Sequence, residues 1–462
     1  MSERFDVIVI GAGPPGENAA GRCADAGLNV AIVEERLVGG ECSFYGCIPS
    51  KTLLRPGDLL AAAKRVPGAA EAITGTVDAE AAFAQRDHMT SNWNDEGQVP
   101  WLNSKGIELV RGHGRLTGER SVEVATEGGP RSLVASKAVV IATGTTPVMP
   151  PIDGLADARA WDNRDATQAM SAPPRFVVLG GGPIGVEMAQ AFRRLGSEQV
   201  AVIEGGPRLL AREEPFAGEE LEATFEAEGI EVLTGVQASK VVRDDDGTVT
   251  LSLENGRTVE GDELLVAVGR RPNTGDAGFD SVGLEPGPSL EVDERLRATG
   301  VEGDWLYGVG DVTGLALLTH MGKYQGRLAG DVIAGRQATD IADHRAVPRV
   351  TFTDPQVAAV GPTEAEAREA GIDVRVVKTG TGDVAGAYVR GNGVAGTSQI
   401  VVDESRKVVV GATFTGPDVQ EMLHAATIAI VGEVPLERLW HAVPAFPTMS
   451  EVWLRLLEAY GL

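Results

Sequence analysis

A Gly-x-Gly-x-x-Gly turn between a buried-strand pattern and a helix occurs twice, at residues 11–16 and 180–185, and each copy leads to a second apolar strand ending in glutamate. These repeats predict an α/β chain with two Rossmann-like dinucleotide-binding domains. A third observation bears on chemistry: Cys42 and Cys47, with four residues between them, follow closely on the first turn.

At 462 residues the chain is too long for one core and implies about three domains. Hydrophobic residues make up 43% and charged residues 23%, as in soluble globular proteins. The 59 glycines suit backbone that approaches a cofactor closely. With 66 acidic against 41 basic side chains, the net charge of -25 repels phosphate backbones and anionic membranes alike, which argues against a nucleic-acid partner. Three cysteines make no secreted disulfide scaffold. Met1-Ser2-Glu3-Arg4 passes into an apolar run without a signal-peptide cleavage pattern, and no stretch is long and apolar enough to span a bilayer. The expectation is a cytoplasmic protein with no membrane partner.

Val7, Ile8, Val9 and Ile10 form a continuous β-branched run, the pattern of a parallel strand buried on both faces. Gly11, Gly13, Pro14 and Gly16 make the turn, residues 17–26 read as a helix closed by Gly27, and strand 30–33 delivers Glu34. The glycines let a helix N-terminus approach a pyrophosphate, and the carboxylate accepts ribose hydroxyls. Cys23, within the helix, reads as a small core residue.

Residues 39–51 hold the candidate catalytic centre. On a regular helix, positions five apart lie about 7.5 Å apart along the axis and point in different directions, beyond disulfide reach. A Cys42–Cys47 bond therefore requires irregular backbone, which Gly46 permits and Pro49 favours. The spacing alone fits a redox disulfide, two buried thiols or half of a metal site. Its place beside a dinucleotide signature favours the first.

Helical segments run from Lys51 to about Lys105, followed by a strand at 107–110, a meander over about 114–136, and a buried strand at 138–141 leading into Thr143 and Gly144. A proline-rich break through Pro151 marks a crossover. Strand 175–179 then opens the second turn with Gly180, Gly182 and Gly185, and strand 200–203 ends in Glu204. Two dinucleotides in one chain imply electron passage between them. An acid at 204 accepts an adenine ribose diol and repels a 2′-phosphate, favouring NAD(H) over NADP(H), although Arg208 lies near. Short strands at 230–233 and 248–253 lead to residues 264–274, which include Gly269 and Arg270.

Taken together, these motifs, with the Cys-Ile-Pro-Ser-Lys stretch, Ala142-Thr143-Gly144, Gly269-Arg270-Arg271-Pro272-Asn273, residues 307–312, residues 351–355 and Pro447-Thr448-Met449-Ser450-Glu451, resemble the FAD-dependent pyridine nucleotide-disulfide oxidoreductases over essentially the whole length. That group contains dihydrolipoamide dehydrogenase, glutathione reductase and mercuric reductase. The resemblance implies an FAD-binding domain in two segments (1–150 and 271–346), an NAD(P)-binding domain (151–270) and a C-terminal α+β dimerisation domain (347–462) completing a homodimer. It implies FAD at the first fingerprint, with Gly40, Thr143, Gly144, Gly310 and Asp311 contributing, and the nicotinamide at the second, with Gly269 and Arg270 nearby. By the same resemblance Cys47 is the thiol facing the flavin, Cys42 the interchange thiol, Lys51 the lysine near flavin N5 and Glu187 its ion-pair partner. No metal is implied.

Two departures stand out. Phe446 occupies the place of the family's acid–base histidine while Glu451, that histidine's usual partner, is kept; His441 lies outside the family register. Phe44 and Tyr45 stand between the cysteines where relatives commonly carry Asn-Val. The expected function is an FAD-dependent NAD(P)H oxidoreductase acting on a small disulfide or thiol. The alternatives are a reductive C–S cleaving or carboxylating enzyme like 2-ketopropyl-coenzyme M oxidoreductase/carboxylase, similar in its Phe, and an NAD(P)H:quinone reductase.

Overall fold

The computed structural model describes residues 2–462, which divide into two compact units. The first takes the chain up to Pro49, Asp87–Pro147 and Arg270–His344. Its frame is a seven-stranded sheet. Glu3–Ile10 pairs in parallel with Val30–Glu34 on one side and Gly129–Ile141 on the other, and Glu108–Arg111 and Leu306–Gly308 extend the two flanks. Val7, Ile8 and Val9 are wholly buried, as β-branched residues covered on both faces should be. The strand Gly129–Ile141 is longer than the run expected at 138–141 because it serves two environments. Its first half alternates against Ser121–Thr126 in an antiparallel meander, and Val139, Val140 and Ile141 then lie between parallel neighbours.

The fingerprint helix Pro14–Asp25 packs on the helix Thr319–Ile333. Gly322, Gly326 and Gly330 recur once per turn along that contact. A Cβ at Gly326 would stand 2.3 Å from the Pro15 carbonyl oxygen, and one at Gly330 2.6 Å from Arg22 Cβ. The bare stripe brings the backbones together, and Arg22 seals its end on Asp331 at 2.7 Å.

The second unit takes Ser50–Arg86, Val148–Gly269 and Arg345–Leu462. A four-stranded parallel sheet runs Ile230–Thr234, Gln199–Glu204, Arg175–Leu179, Glu263–Val266. Phe176 on its third strand packs, tilted, at 4.7 Å between ring centroids against Phe192 of the helix Pro183–Arg194. The same core takes in Leu53, Leu54 and Phe83 from residues 50–86. Residues 345–462 form a five-stranded antiparallel sheet, with the helices Val419–Val431 and Val452–Tyr460 packed against it. No helix among the described residues is long and apolar enough to cross a membrane.

Candidate active site

The three fingerprint glycines do different work. A Cβ at Gly11 (φ 106°) would meet the Ala142 carbonyl oxygen at 2.3 Å, and one at Gly16 the Gly11 oxygen at 1.9 Å, so turn and helix close only without side chains. Around Gly13 the nearest atom is 3.9 Å away, which leaves its backbone open to a ligand. The second copy repeats the division: Gly180 and Gly185 are hemmed in at 2.5 and 2.0 Å, and nothing lies within 4 Å of the position at Gly182. Pro14 and Pro183 each open the helix that follows.

The acids repeat too. Glu34 accepts the Ala12 amide at 2.7 Å and the Arg36 amide at 2.8 Å. Glu204 accepts the Gly181 amide at 2.6 Å and the Gly206 amide at 2.5 Å. Burial nevertheless pushes the Glu34 carboxyl above its ordinary range, against the pull of the two amides. An open glycine at a helix N-terminus with a carboxylate at the neighbouring strand end fits a dinucleotide, once in each unit.

Around the first cradle, Thr143 and Asn273 exchange two hydrogen bonds, at 2.7 and 2.9 Å, and the Gly144 carbonyl accepts the Asn273 amide at 2.9 Å. Arg270 Nε donates to Thr145 Oγ1 at 2.7 Å, and that hydroxyl donates to Asp311 at 2.9 Å, beneath a carboxyl that burial raises. The Gly310 amide donates to Gln325 at 2.6 Å.

The cysteine stretch has the irregular backbone that its spacing demands. A short helix, Gly40–Phe44, carries Cys42; the chain breaks at Tyr45 and Gly46, and Cys47 opens the helix Cys47–Lys64. Gly40 (φ 58°) lies so close to the first fingerprint that a Cβ there would be 2.8 Å from Gly13 Cα. Both cysteines are free, and Cys47 is near enough to act on the Cys42 thiol. Thr319 Oγ1 lies 3.3 Å from Cys47 Sγ. The Cys42 thiol is driven well above its ordinary 9.0, first by the hydrogen bond to Cys47, then by burial and by Cys47's charge, with Thr319 and Lys323 pulling the other way. Cys47 and burial thus favour the protonated form of Cys42, and Cys47 itself opens a helix, where the dipole favours an anion.

In the second unit Lys51 Nζ meets Glu187 Oε2 at 2.7 Å, with side-chain exposures of 34% and 4%. The other carboxylate oxygen accepts the Phe352 amide at 2.9 Å, and the Phe352 ring lies 4.9 Å from the ammonium. One turn along, Gln190 holds the Asp354 backbone by two bonds of 2.7 and 2.8 Å. Gly269 (φ 143°) accepts the Val148 amide at 3.0 Å. Near the C-terminus Phe446 is 76% exposed, whereas Glu451, 7% exposed, accepts the Gly386 and Thr448 amides, each at 3.1 Å. Phe446 and Glu451 lie in the second unit, the cysteines in the first.

Sequence reading missed Thr145, Thr319 and Gln325. Thr319 and Gln325 belong to the helix with the glycine stripe, and that four-residue period was the available signal. Thr145 carries no local signature; Phe352 lies within the motif at residues 351–355, but its amide bond to Glu187 was not legible there.

A dinucleotide cradle in each unit, with a cysteine pair set across a helix break beside the first, fits a nucleotide-dependent thiol–disulfide oxidoreductase. The chain belongs to the pyridine nucleotide-disulphide oxidoreductase family, whose model matches residues 5–337 and whose dimerisation domain matches residues 347–456. It is 34% identical to the dihydrolipoyl dehydrogenase of Chlamydia muridarum, covering 98% of this chain and 96% of that one. It is 30% identical to a mercuric reductase of Staphylococcus aureus, covering 97% and 81%. Among solved structures, the Cu(II) complex of the HOCl-induced flavoprotein disulfide reductase RclA from Escherichia coli superposes with a TM-score of 0.87 at 25% identity over 99% of both chains. The enzyme is therefore an FAD-dependent disulfide oxidoreductase using a nicotinamide cofactor.

Proposed function

We propose that this enzyme carries electrons from NADH through FAD to a Cys42–Cys47 disulfide and on to a small disulfide substrate. The placement of Cys42 and Cys47 on either side of a helix break beside the first glycine cradle carries the reading. Bound FAD links a hydride donor to a disulfide. The disulfide takes up two electrons and two protons to give two thiols. Cys42 then attacks a substrate sulfur, releasing one thiol and forming a mixed disulfide. Cys47 resolves it, releasing the second thiol and restoring the protein disulfide. Lys51, held by Glu187, supplies a fixed cation for charge developing on the cofactor. The exposed apolar side chains Tyr388, Val389, Ile428, Val431 and Val443 on the dimerisation domain support a homodimer. Anaerobic titration of the native enzyme with NADH tests the scheme: a long-wavelength thiolate–flavin band is expected, and bleaching without that band would discard it.

Glu204 supports NADH as the donor, and Arg208 weakens that support little, because its Nη2 already donates to the Ala211 and Glu213 carbonyls at 2.9 and 3.0 Å. Selectivity in kcat/KM of about thirtyfold for NADH over NADPH is expected, equivalent to ~2 kcal/mol; equal use of both nucleotides contradicts it.

With Phe446 in the histidine's place, Cys42 gives its proton to solvent. Its thiol titrates above 9.0, so the reactive thiolate, and kcat/KM for disulfide reduction, should rise about tenfold per pH unit from pH 6 to 9. A plateau beginning near pH 7 would reveal a base elsewhere. Phe446→His should raise the neutral-pH rate by about 10².

A further inference from the structure

Ser91, Asn92 and Trp93 hold φ values of 50°, 53° and 55° in succession, and none is glycine. A left-handed run of side-chain-bearing residues persists only where its surroundings over-determine it, and such runs cluster where function needs a fixed geometry. Two side chains in and just after this run reach the cysteine stretch. Trp93 Nε1 donates to the Phe44 carbonyl at 3.1 Å. Asp95, only 8% exposed, accepts the Val38 amide at 2.6 Å and is itself fixed by Arg111 at 2.7 Å. The two anchors fall at opposite ends of residues 38–44, the stretch that contains Gly39, Gly40 and Cys42.

Phe44 is the last residue of the helix Gly40–Phe44, and the chain leaves helical geometry at Tyr45 (φ -133°, ψ -2°). In an unbroken helix the Phe44 carbonyl would accept the amide four residues on. At a helix end it is one of the carbonyls that need an outside donor. The indole N–H is such a donor. An unbroken helix would also separate Cys42 from Cys47, so the group that satisfies the broken end sustains the geometry that lets the two sulfurs meet.

We propose that Trp93 is a positioning residue for the redox pair: its indole N–H caps the helix carrying Cys42 and holds that thiol within bonding reach of Cys47. This rests on the reading of Cys42 and Cys47 as a redox pair. The left-handed turn is what aims the indole, since the same residues in right-handed geometry would direct the ring elsewhere. Removing the cap lowers the effective concentration of one thiol at the other, which disfavours the disulfide relative to the dithiol.

The test equilibrates the full-length FAD-loaded protein with glutathione buffers, in which protein dithiol and oxidised glutathione give protein disulfide and two reduced glutathiones, and measures the disulfide by alkylation and mass. Trp93→Phe is expected to lower the equilibrium constant about tenfold, a shift of about 30 mV. Trp93→His, which keeps a ring N–H, should stay within about threefold of native. A native-like constant in Trp93→Phe, or equal losses in both variants, overturns the proposal. Failure of the native chain to form the disulfide removes the redox reading itself. If Trp93→Phe does not fold, hydrogen exchange in the native chain decides: an indole proton of Trp93 protected at least about hundredfold is expected, and exchange at the rate of an exposed indole overturns it.

Discussion

Replacing Cys47 by serine is expected to lower NADH-driven disulfide turnover by about 10⁴-fold or more, while Cys42 becomes easier to alkylate at pH 7. The first effect follows from chemistry: a serine hydroxyl neither resolves a mixed disulfide nor accepts electrons as half of a disulfide, and loss of such a group typically removes most of the catalytic acceleration. The second follows from the causes of the Cys42 shift. The largest is the hydrogen bond to Cys47, and the charge of Cys47 acts in the same direction. Serine at this position stays neutral, so the like-charge contribution vanishes, while Thr319 and Lys323 still favour the Cys42 thiolate against burial. The Cys42 thiol therefore falls toward its ordinary value, and its thiolate fraction at neutral pH rises. Turnover and alkylation rate should move in opposite directions. A variant retaining turnover within tenfold of native would show that electrons bypass the sulfur pair, as in direct quinone reduction.

The sequence exposed what depends on local pattern. Glycine spacing, β-branched runs and a strand-end acid placed Gly11, Gly16, Glu34 and their counterparts Gly180, Gly185 and Glu204, because each acts on backbone within its own βαβ unit. The need for a backbone break between the cysteines was legible from helix geometry, and the break lies at Tyr45 and Gly46. What holds that break was not legible. Trp93 lies 49 residues from Phe44 in sequence, and a left-handed turn of Ser, Asn and Trp has no compositional mark. The length of the strand Gly129–Ile141 was hidden for a related reason: its antiparallel half alternates and its parallel half does not, so the periodicity changes within one strand. Glu451 was legible from its motif, but not that its carboxylate accepts the amides of Gly386 and Thr448.

Lys51→Met is expected to destabilise the second unit by ~3 kcal/mol and, separately, to slow reduction of bound FAD by NADH at least about 10²-fold. The stability loss arises from Glu187, whose side chain is 4% exposed and would keep a buried charge with one amide donor, Phe352, and no cation. Lys51 is 34% exposed, so solvent already carries part of its charge, and the lower end of the range for a broken buried pair applies. The double variant Lys51→Met/Glu187→Gln separates the two effects. Glutamine removes the orphan charge and still offers an oxygen to the Phe352 amide, so the denaturation midpoint should return close to native. The rate of cofactor reduction should not return, because no cation remains for charge developing on the cofactor. Stopped-flow absorbance and chemical denaturation on the same three proteins read both quantities. If rate recovers together with stability, Lys51 serves only to pair Glu187, and its proposed part in the chemistry is lost.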